Sequence, residues 1–336
     1  RAGSNSFLMS TLALGPDKRV KRIQEQSSGT TASIERREEM SKISANGIEI
    51  EYEIWGDAAN DPLVLVGGIG VQLTAWNETF IKALVEAGFY VIAYDNRDVG
   101  LSTKFDDWGP ADIPAAFAQA RAKEKVSAPY ALEDMADDAA ELIVELGLGK
   151  AHILGSSNGG AIAQILAYRR PECVKSLVSV MATSGRRGLP RPTEEAGKWL
   201  NQPRNPAGTR EGAVEDAVAT AQTIGSPAFP VDENILAKRA ISLFERSYYP
   251  EGNGRHLLAS LASGDSRVAH LSEITAPVLV IHGREDPLVP LGCAEDVKNS
   301  IPGAEIVVVD GMGHDIPDEA VPTMVETISK NAKRAA

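Results

Sequence analysis

Cysteine is almost missing from this chain. Only Cys173 and Cys293 occur, far apart. Two remote thiols cannot build a disulfide framework, and their spacing fits no metal-ligand pattern. They read as reduced, buried thiols, which points to a cytoplasmic setting. Positive charge is also scarce: 34 Lys and Arg stand against 46 Asp and Glu, a formal net charge of −12. Nucleic acid is therefore not an expected partner, because phosphate binding needs a basic surface. Acidity of this size speaks mainly for solubility. No apolar run approaches the ~18 residues of a membrane-spanning helix, so no membrane partner is expected. A secretory h-region is lacking too, since Phe7-Leu8-Met9 is too short to be one. Internal repeats and low-complexity tracts are absent.

What is present fits a globular chain with one large core and room for an inserted subdomain. Residues 10–40 are polar with mixed charge, from Lys18 and Arg19 to Glu38 and Glu39, and 1–41 form one segment ahead of the first strand pattern. They are expected to form a flexible or peripheral arm. Beyond them, strand and helix patterns alternate. Runs 42–44 and 48–52 flank Asn46-Gly47, a hairpin signal. Leu63-Val64-Leu65-Val66 is continuously apolar, as expected of a strand covered on both faces. Further strands are expected at 90–93, 151–154, 176–181, 278–281 and 305–309. Helices are expected at 76–87, 132–146, 159–170 and 317–330. An opening hairpin followed by β-α repeats implies a mostly parallel, doubly wound sheet. Residues 185–270 break the rhythm. After a Gly-, Arg- and Pro-rich linker come helical patterns at 209–224, 232–247 and 254–262. This segment reads as a helical cap, so the core is expected to comprise 42–184 and 271–336.

Gly155-Ser156-Ser157-Asn158-Gly159 lies between a strand and a helix. A serine at the centre of Gly-x-Ser-x-Gly in that setting sits on a sharp turn that projects its Oγ from the carboxyl edge of the sheet. A serine hydroxyl is a weak nucleophile at neutral pH and needs a base oriented by an acid. Asp286 follows strand 278–281, and His314 follows strand 305–309. Three residues from three strand ends thus converge on the edge where open α/β sheets bind ligands. Glu285 is the alternative acid. Ser156 is off the motif's centre and should point elsewhere. His152 and His282 read as packed histidines, Asp315 as a surface charge, and His256 and His270 as solvated or capping residues of the cap, with substrate contact as the alternative. Charge developing on an attacked carbonyl needs preset donors. The N–H of Asn158, at a helix start, is one candidate. The other is the N–H of Ile69, with Gly68 second, in Gly67-Gly68-Ile69-Gly70 after strand 63–66. Trp199, Phe229, Phe244, Tyr248 and Tyr249 are candidates for a pocket lining or for cap core. Arg186, Arg187 and Arg191 are candidates for a substrate carboxylate or for a solvated linker.

These motifs, together with Trp76 and Asp95-Asn96-Arg97-Asp98-Val99-Gly100-Leu101-Ser102, resemble the α/β-hydrolase superfamily over about residues 42–332. Within it the chain is most similar to small-molecule esterases related to aclacinomycin methylesterase. The resemblance implies an α/β-hydrolase fold with an inserted cap, and Asp95 and Arg97 as residues bracing the loops around the nucleophile. Ser at position 157, where other branches carry Asp, disfavours dehalogenases and epoxide hydrolases. Two departures are Gly67-Gly68 where His-Gly is familiar, and Asn158 where Met or Gln is usual; both keep their backbone donors. The expected activity is metal- and cofactor-free hydrolysis of a small-molecule carboxylic ester by Ser157, His314 and Asp286. Lactone opening, carbon–carbon bond hydrolysis and a non-catalytic ligand receptor remain as alternatives, with the protein a monomer or homodimer.

Overall fold

The structure, a computed structural model, describes residues 41–202 and 204–335. The expected arm over 1–41 therefore lies outside the described residues, except for Ser41. Strands β1 (Ser41–Ala45) and β2 (Ile48–Trp55) form the opening hairpin. Its two turn residues, Asn46 and Gly47, have φ of 48° and 76°. Two positive φ angles in a two-residue turn match the right-handed twist of the flanking strands, which explains the Asn-Gly pair.

The chain continues through β3 (Asp61–Val66), α1 (Glu78–Glu86), β4 (Phe89–Tyr94), α2 (Ile113–Ala122), α3 (Leu132–Glu145) and β5 (Ala151–Ser156). Then come α4 (Asn158–Arg169), β6 (Val174–Val180), α5 (Glu194–Asn201), α6 (Arg210–Ile224), α7 (Glu233–Arg246) and α8 (Pro250–Ser263). The last elements are β7 (Val278–Gly283), α9 (Leu291–Ser300), β8 (Glu305–Val309) and α10 (Val321–Lys333). The strands form one sheet in the order β1-β2-β4-β3-β5-β6-β7-β8. β2 runs antiparallel to β1 and β4, and all other neighbours are parallel. This is the expected mostly parallel, doubly wound sheet, and α5 to α8 fill the crossover from β6 to β7. Among the described residues, no helix is long and apolar enough to cross a membrane.

Alternating strand residues serve opposite faces. Val64, Val66, Ile92 and Ile153 pack with Met135, Leu142, Ile162 and Leu166 of α3 and α4. Leu63, Leu65, Val91 and Leu154 pack with Phe80, Leu84, Met324 and Ile328 of α1 and α10. Both faces are covered, so β3 needs apolar residues at consecutive positions.

Helices α2, α5 and α9 have no counterpart in the periodicity. α2 buries only Ala116 and so has almost no apolar stripe. Its signals are local: Asp112 accepts the Ala115 N–H at 2.9 Å, and Pro114 sits in the first turn. α9 buries only the small stripe Cys293, Ala294 and Val297.

Parallel register puts Val66 beside Gly155, Ser156 beside Val180, and Gly283 beside Val309. The loops leaving these strands therefore open on one edge. Close packing fixes α4 beneath it: a Cβ on Gly159 would lie 2.1 Å from the Val66 carbonyl oxygen. Gly159→Ala should therefore destabilise the protein by about 3 kcal/mol. Gly197, in α5, has nothing within 4 Å of such a Cβ. Gly197→Ala should instead gain about 0.5 kcal/mol through helix propensity. Urea unfolding of both variants checks the pair of opposite signs.

Candidate active site

Ser157 is the single residue between β5 and α4, with φ 56° and ψ −121°. A side chain at positive φ is strained and persists only where the surroundings over-determine it. Here the Ser157 N–H donates to the Val180 carbonyl at 2.9 Å, and the Ser157 carbonyl accepts from the Gly160 N–H at 2.9 Å. A Cβ on Gly155 would lie 2.1 Å from the Gly159 carbonyl oxygen, so strand and helix touch backbone to backbone.

His314 and Asp286 reach this turn from β8 and β7. His314 Nε2 lies 3.0 Å from Ser157 Oγ. His314 Nδ1 lies 2.7 Å from Asp286 Oδ2. The Asp286 carboxylate can only accept, so Nδ1 carries the proton and Nε2 is left to accept from the serine hydroxyl. Asp286 Oδ1 accepts the Leu288 and Val289 N–H groups at 2.9 and 2.8 Å. Glu285 does not take part: it is exposed and accepts the Gly311 N–H at 2.6 Å. His282 is fully buried; its Nε2 donates to the Val289 carbonyl at 2.6 Å and stands 3.6 Å from Asp286 Oδ2. His152 is buried too, with Nδ1 2.8 Å from Ser176 Oγ.

The segment joining α6 to α7 holds the His314 loop. The His314 N–H donates to the Ile224 carbonyl at 2.7 Å, and the Gly313 N–H to Ser226 Oγ at 2.9 Å. The Ser226 hydroxyl donates to Asp315. Asp315 is therefore not the expected surface charge. It is half-buried, and burial raises its carboxyl above the usual range, against the lowering pull of Ser226.

The Gly67–Gly70 loop faces the serine from β3. A Cβ on Gly68 would stand 3.3 Å from Ser157 Cβ, a tight approach that places this loop directly against the serine. Asn96 Nδ2 donates to the Gly67 carbonyl at 3.1 Å. Asn158 opens α4, where the first N–H groups have no intrahelical acceptor. Its side-chain Oδ1 accepts the Ser260 hydroxyl at 2.6 Å. His256 departs from the solvated or capping role expected of it. It is 0% exposed, with Nδ1 3.3 Å from the Gly70 N and Nε2 2.7 Å from the Arg97 carbonyl oxygen. Nothing local in the sequence signals this, because both partners are more than a hundred residues away. His270 is exposed beside Glu273 and stacks on Tyr168.

Asp95 is buried and joins two loops, accepting the Leu73 and Leu101 N–H groups at 2.7 and 2.8 Å. Arg97 braces its loop against α3 instead. It pairs with Asp138 through two contacts of 2.6 Å, and its guanidinium lies 5.3 and 5.1 Å from the ring centroids of Phe105 and Tyr130. A second buried pair, Asp98 with Arg255 of α8, was invisible to sequence reasoning. Burial opposes ionisation of Asp98, but Arg255 and Tyr130 outweigh it and hold the carboxyl below its usual range.

Most of the candidate lining and arginine residues of 185–270 are engaged within the protein. Arg186 binds Asp296 and Ser300, Arg187 binds Asp265, and Arg191 is exposed. Trp199 donates to Thr220 at 3.1 Å beneath Arg204, and Tyr248 donates to the Asn205 carbonyl at 2.7 Å beside Phe244. Tyr249 donates to Asp106, and Phe229 packs by Gly311.

A family profile described as alpha/beta hydrolase fold matches residues 61–321. Rhodomycin D methylesterase DnrP of Streptomyces peucetius is 29% identical over 289 residues, covering 80% of this chain and 90% of that protein. The putative carbamate hydrolase RutD of Variovorax paradoxus (strain S110) is 27% identical over 271 residues, covering 79% of this chain and 89% of its own. Among solved structures, the meta-cleavage product hydrolase CumD of Pseudomonas fluorescens IP01 superposes with a TM-score of 0.65 at 21% identity, over 88% of this chain and 98% of that one.

Burial lowers the pKa of His256 from 6.5 to about 4. Between those values the folded state binds fewer protons than the unfolded chain, so stability rises with pH. The contribution is complete above about 6.5 and is lost as pH falls toward 4; from pH 7 to 5 it amounts to roughly 2 kcal/mol. Urea unfolding should show that His256→Leu loses about that much less stability over this interval than the parent protein. An unchanged loss would contradict a buried, neutral His256.

Proposed function

This chain belongs to the alpha/beta hydrolase family, and from that premise we propose that it hydrolyses a small-molecule carboxylic ester through an acyl-enzyme. The observation that carries the reading is the continuous path from Ser157 Oγ to His314 Nε2, 3.0 Å, and from His314 Nδ1 to Asp286 Oδ2, 2.7 Å. The methylesterase relative supports a methyl ester as the substrate type. The two free, buried cysteines support the cytoplasmic setting.

In this reading Ser157 Oγ attacks the ester carbonyl carbon while its proton passes to His314 Nε2. The buried Asp286 carboxylate holds the proton on Nδ1 and stabilises the imidazolium that forms. The carbonyl oxygen becomes an oxyanion, met by the N–H groups of Asn158 and Ile69, with Gly68 as the alternative donor. The intermediate collapses, the carbon–oxygen bond to the alcohol breaks, and His314 returns its proton to the leaving oxygen. Water then attacks the acyl carbon as His314 takes one of its protons; the bond to Ser157 Oγ breaks, His314 returns the proton to Oγ, and the carboxylic acid leaves. A receptor that only binds ligand has no need of a carboxylate, held by two N–H groups, behind an imidazole.

Ser157→Ala should lower turnover of a p-nitrophenyl ester by about 10,000-fold or more. A fluorophosphonate should modify the parent protein once per chain and leave that variant untouched. Retained turnover in Ser157→Ala would remove the assignment.

A further inference from the structure

Helix α8 lies in the inserted segment, yet its side chains end on both sides of the nucleophile. His256 and Ser260 stand one helical turn apart and so share a face. The Gly70 N–H donates to His256 Nδ1 at 3.3 Å, and His256 Nε2 contacts the Arg97 carbonyl at 2.7 Å. A carbonyl only accepts, so Nε2 carries the proton and Nδ1 is free to take the Gly70 N–H. Ser260 donates to Asn158 Oδ1 at 2.6 Å. Gly70 ends one candidate donor loop, and Asn158 is the other candidate donor.

The helix itself is anchored. Arg255, 1% exposed in its side chain, pairs with the fully buried Asp98 at 2.8 Å. A Cβ on Gly252 would lie 2.0 Å from the Asp98 carbonyl oxygen. A Cβ on Gly70 would lie 1.8 Å from Asn253 Oδ1, so loop and helix are in direct contact. Elsewhere the Gly67–Gly70 loop is tied by the Asn96 side chain on the Gly67 carbonyl and the Val71 N–H on the Gly68 carbonyl, so its Gly70 end depends on α8. Preset donors stabilise an oxyanion only if they do not have to reorganise during reaction.

We propose that His256 and Ser260 are positioning residues that set the spacing between the two halves of the oxyanion-binding site. His256 fixes the Gly67–Gly70 loop, and Ser260 fixes the first residue of α4. The inference rests on the acyl-transfer reading above. It assigns α8 a part in stabilising the transition state, beyond covering the substrate.

The test compares turnover of a p-nitrophenyl ester with that of its thiono counterpart, whose sulfur accepts hydrogen bonds poorly. A well-set oxyanion site favours the oxygen ester. In His256→Leu, kcat for the oxygen ester should fall about 30-fold with KM changed less than about twofold, because only the transition state loses support. The preference for oxygen over sulfur should shrink by about fivefold or more. His256→Asn places an amide oxygen where Nδ1 was and should recover most of both losses. Ser260→Ala should shrink the preference in the same way, and the double variant should lose less than the product of the single losses, since both act on one spacing. If His256→Leu does not fold, Ser260→Ala decides the matter by the same ratio. A wild-type oxygen-to-sulfur preference in the α8 variants, whatever their kcat, overturns the proposal. Ser157→Ala is run alongside. Turnover retained there removes the acyl-transfer reading itself, whereas an inactive Ser157→Ala with unaltered α8 variants removes only the role of α8.

Discussion

A backbone conformation that side chains avoid is the constraint on which this molecule depends. Ser157 has φ 56°, and no helix or strand residue would adopt it unforced. The force comes from strand β5 and helix α4 meeting at Gly155 and Gly159 with no side chain between them. A turn that tight lifts the hydroxyl clear of the sheet edge. It also makes Asn158, the residue after Ser157, the first of α4, where the opening N–H groups point out of the helix. In the acyl-transfer reading proposed above, one local geometry presents both the nucleophile and a donor for the charge it creates.

The inserted segment is bound to this edge through backbone as well as side chains. The His314 N–H ends on the Ile224 carbonyl, and Gly313 and Asp315 both engage Ser226. From the other side, α8 reaches Gly70, Arg97 and Asn158. These helices therefore contact both the His314 loop and the Gly67–Gly70 loop directly. Substitutions in residues 185–270 that shift these contacts are expected to shift the Ser157–His314 geometry at the same time.

The parts of this arrangement that were legible in the sequence are those with a local signature. Gly-x-Ser-x-Gly between a strand and a helix carries its own steric logic. Leu63 to Val66 shows its two covered faces in four letters, and Asn46-Gly47 shows its turn. Asp286 and His314 could be placed because each follows an apolar strand, and parallel strands end on one edge. The rest depends on pairings between remote segments. His256 is an ordinary helix residue by pattern; only the approach of Gly70 and Arg97 makes it a buried, neutral bridge. Asp315 looked solvated because Ser226, its partner, lies in another segment. Helices α2 and α9 bury too few large residues to produce a stripe, so periodicity passed over them.

The central claim is that Ser157 carries the acyl group between its two transfers. The direct measurement is mass spectrometry of protein quenched within milliseconds of mixing with an activated ester, followed by peptide mapping. The account predicts a transient adduct of the acyl mass on the peptide containing Ser157, decaying at the rate of turnover. Sustained hydrolysis with no adduct on that peptide, or with the adduct on another residue, would contradict it.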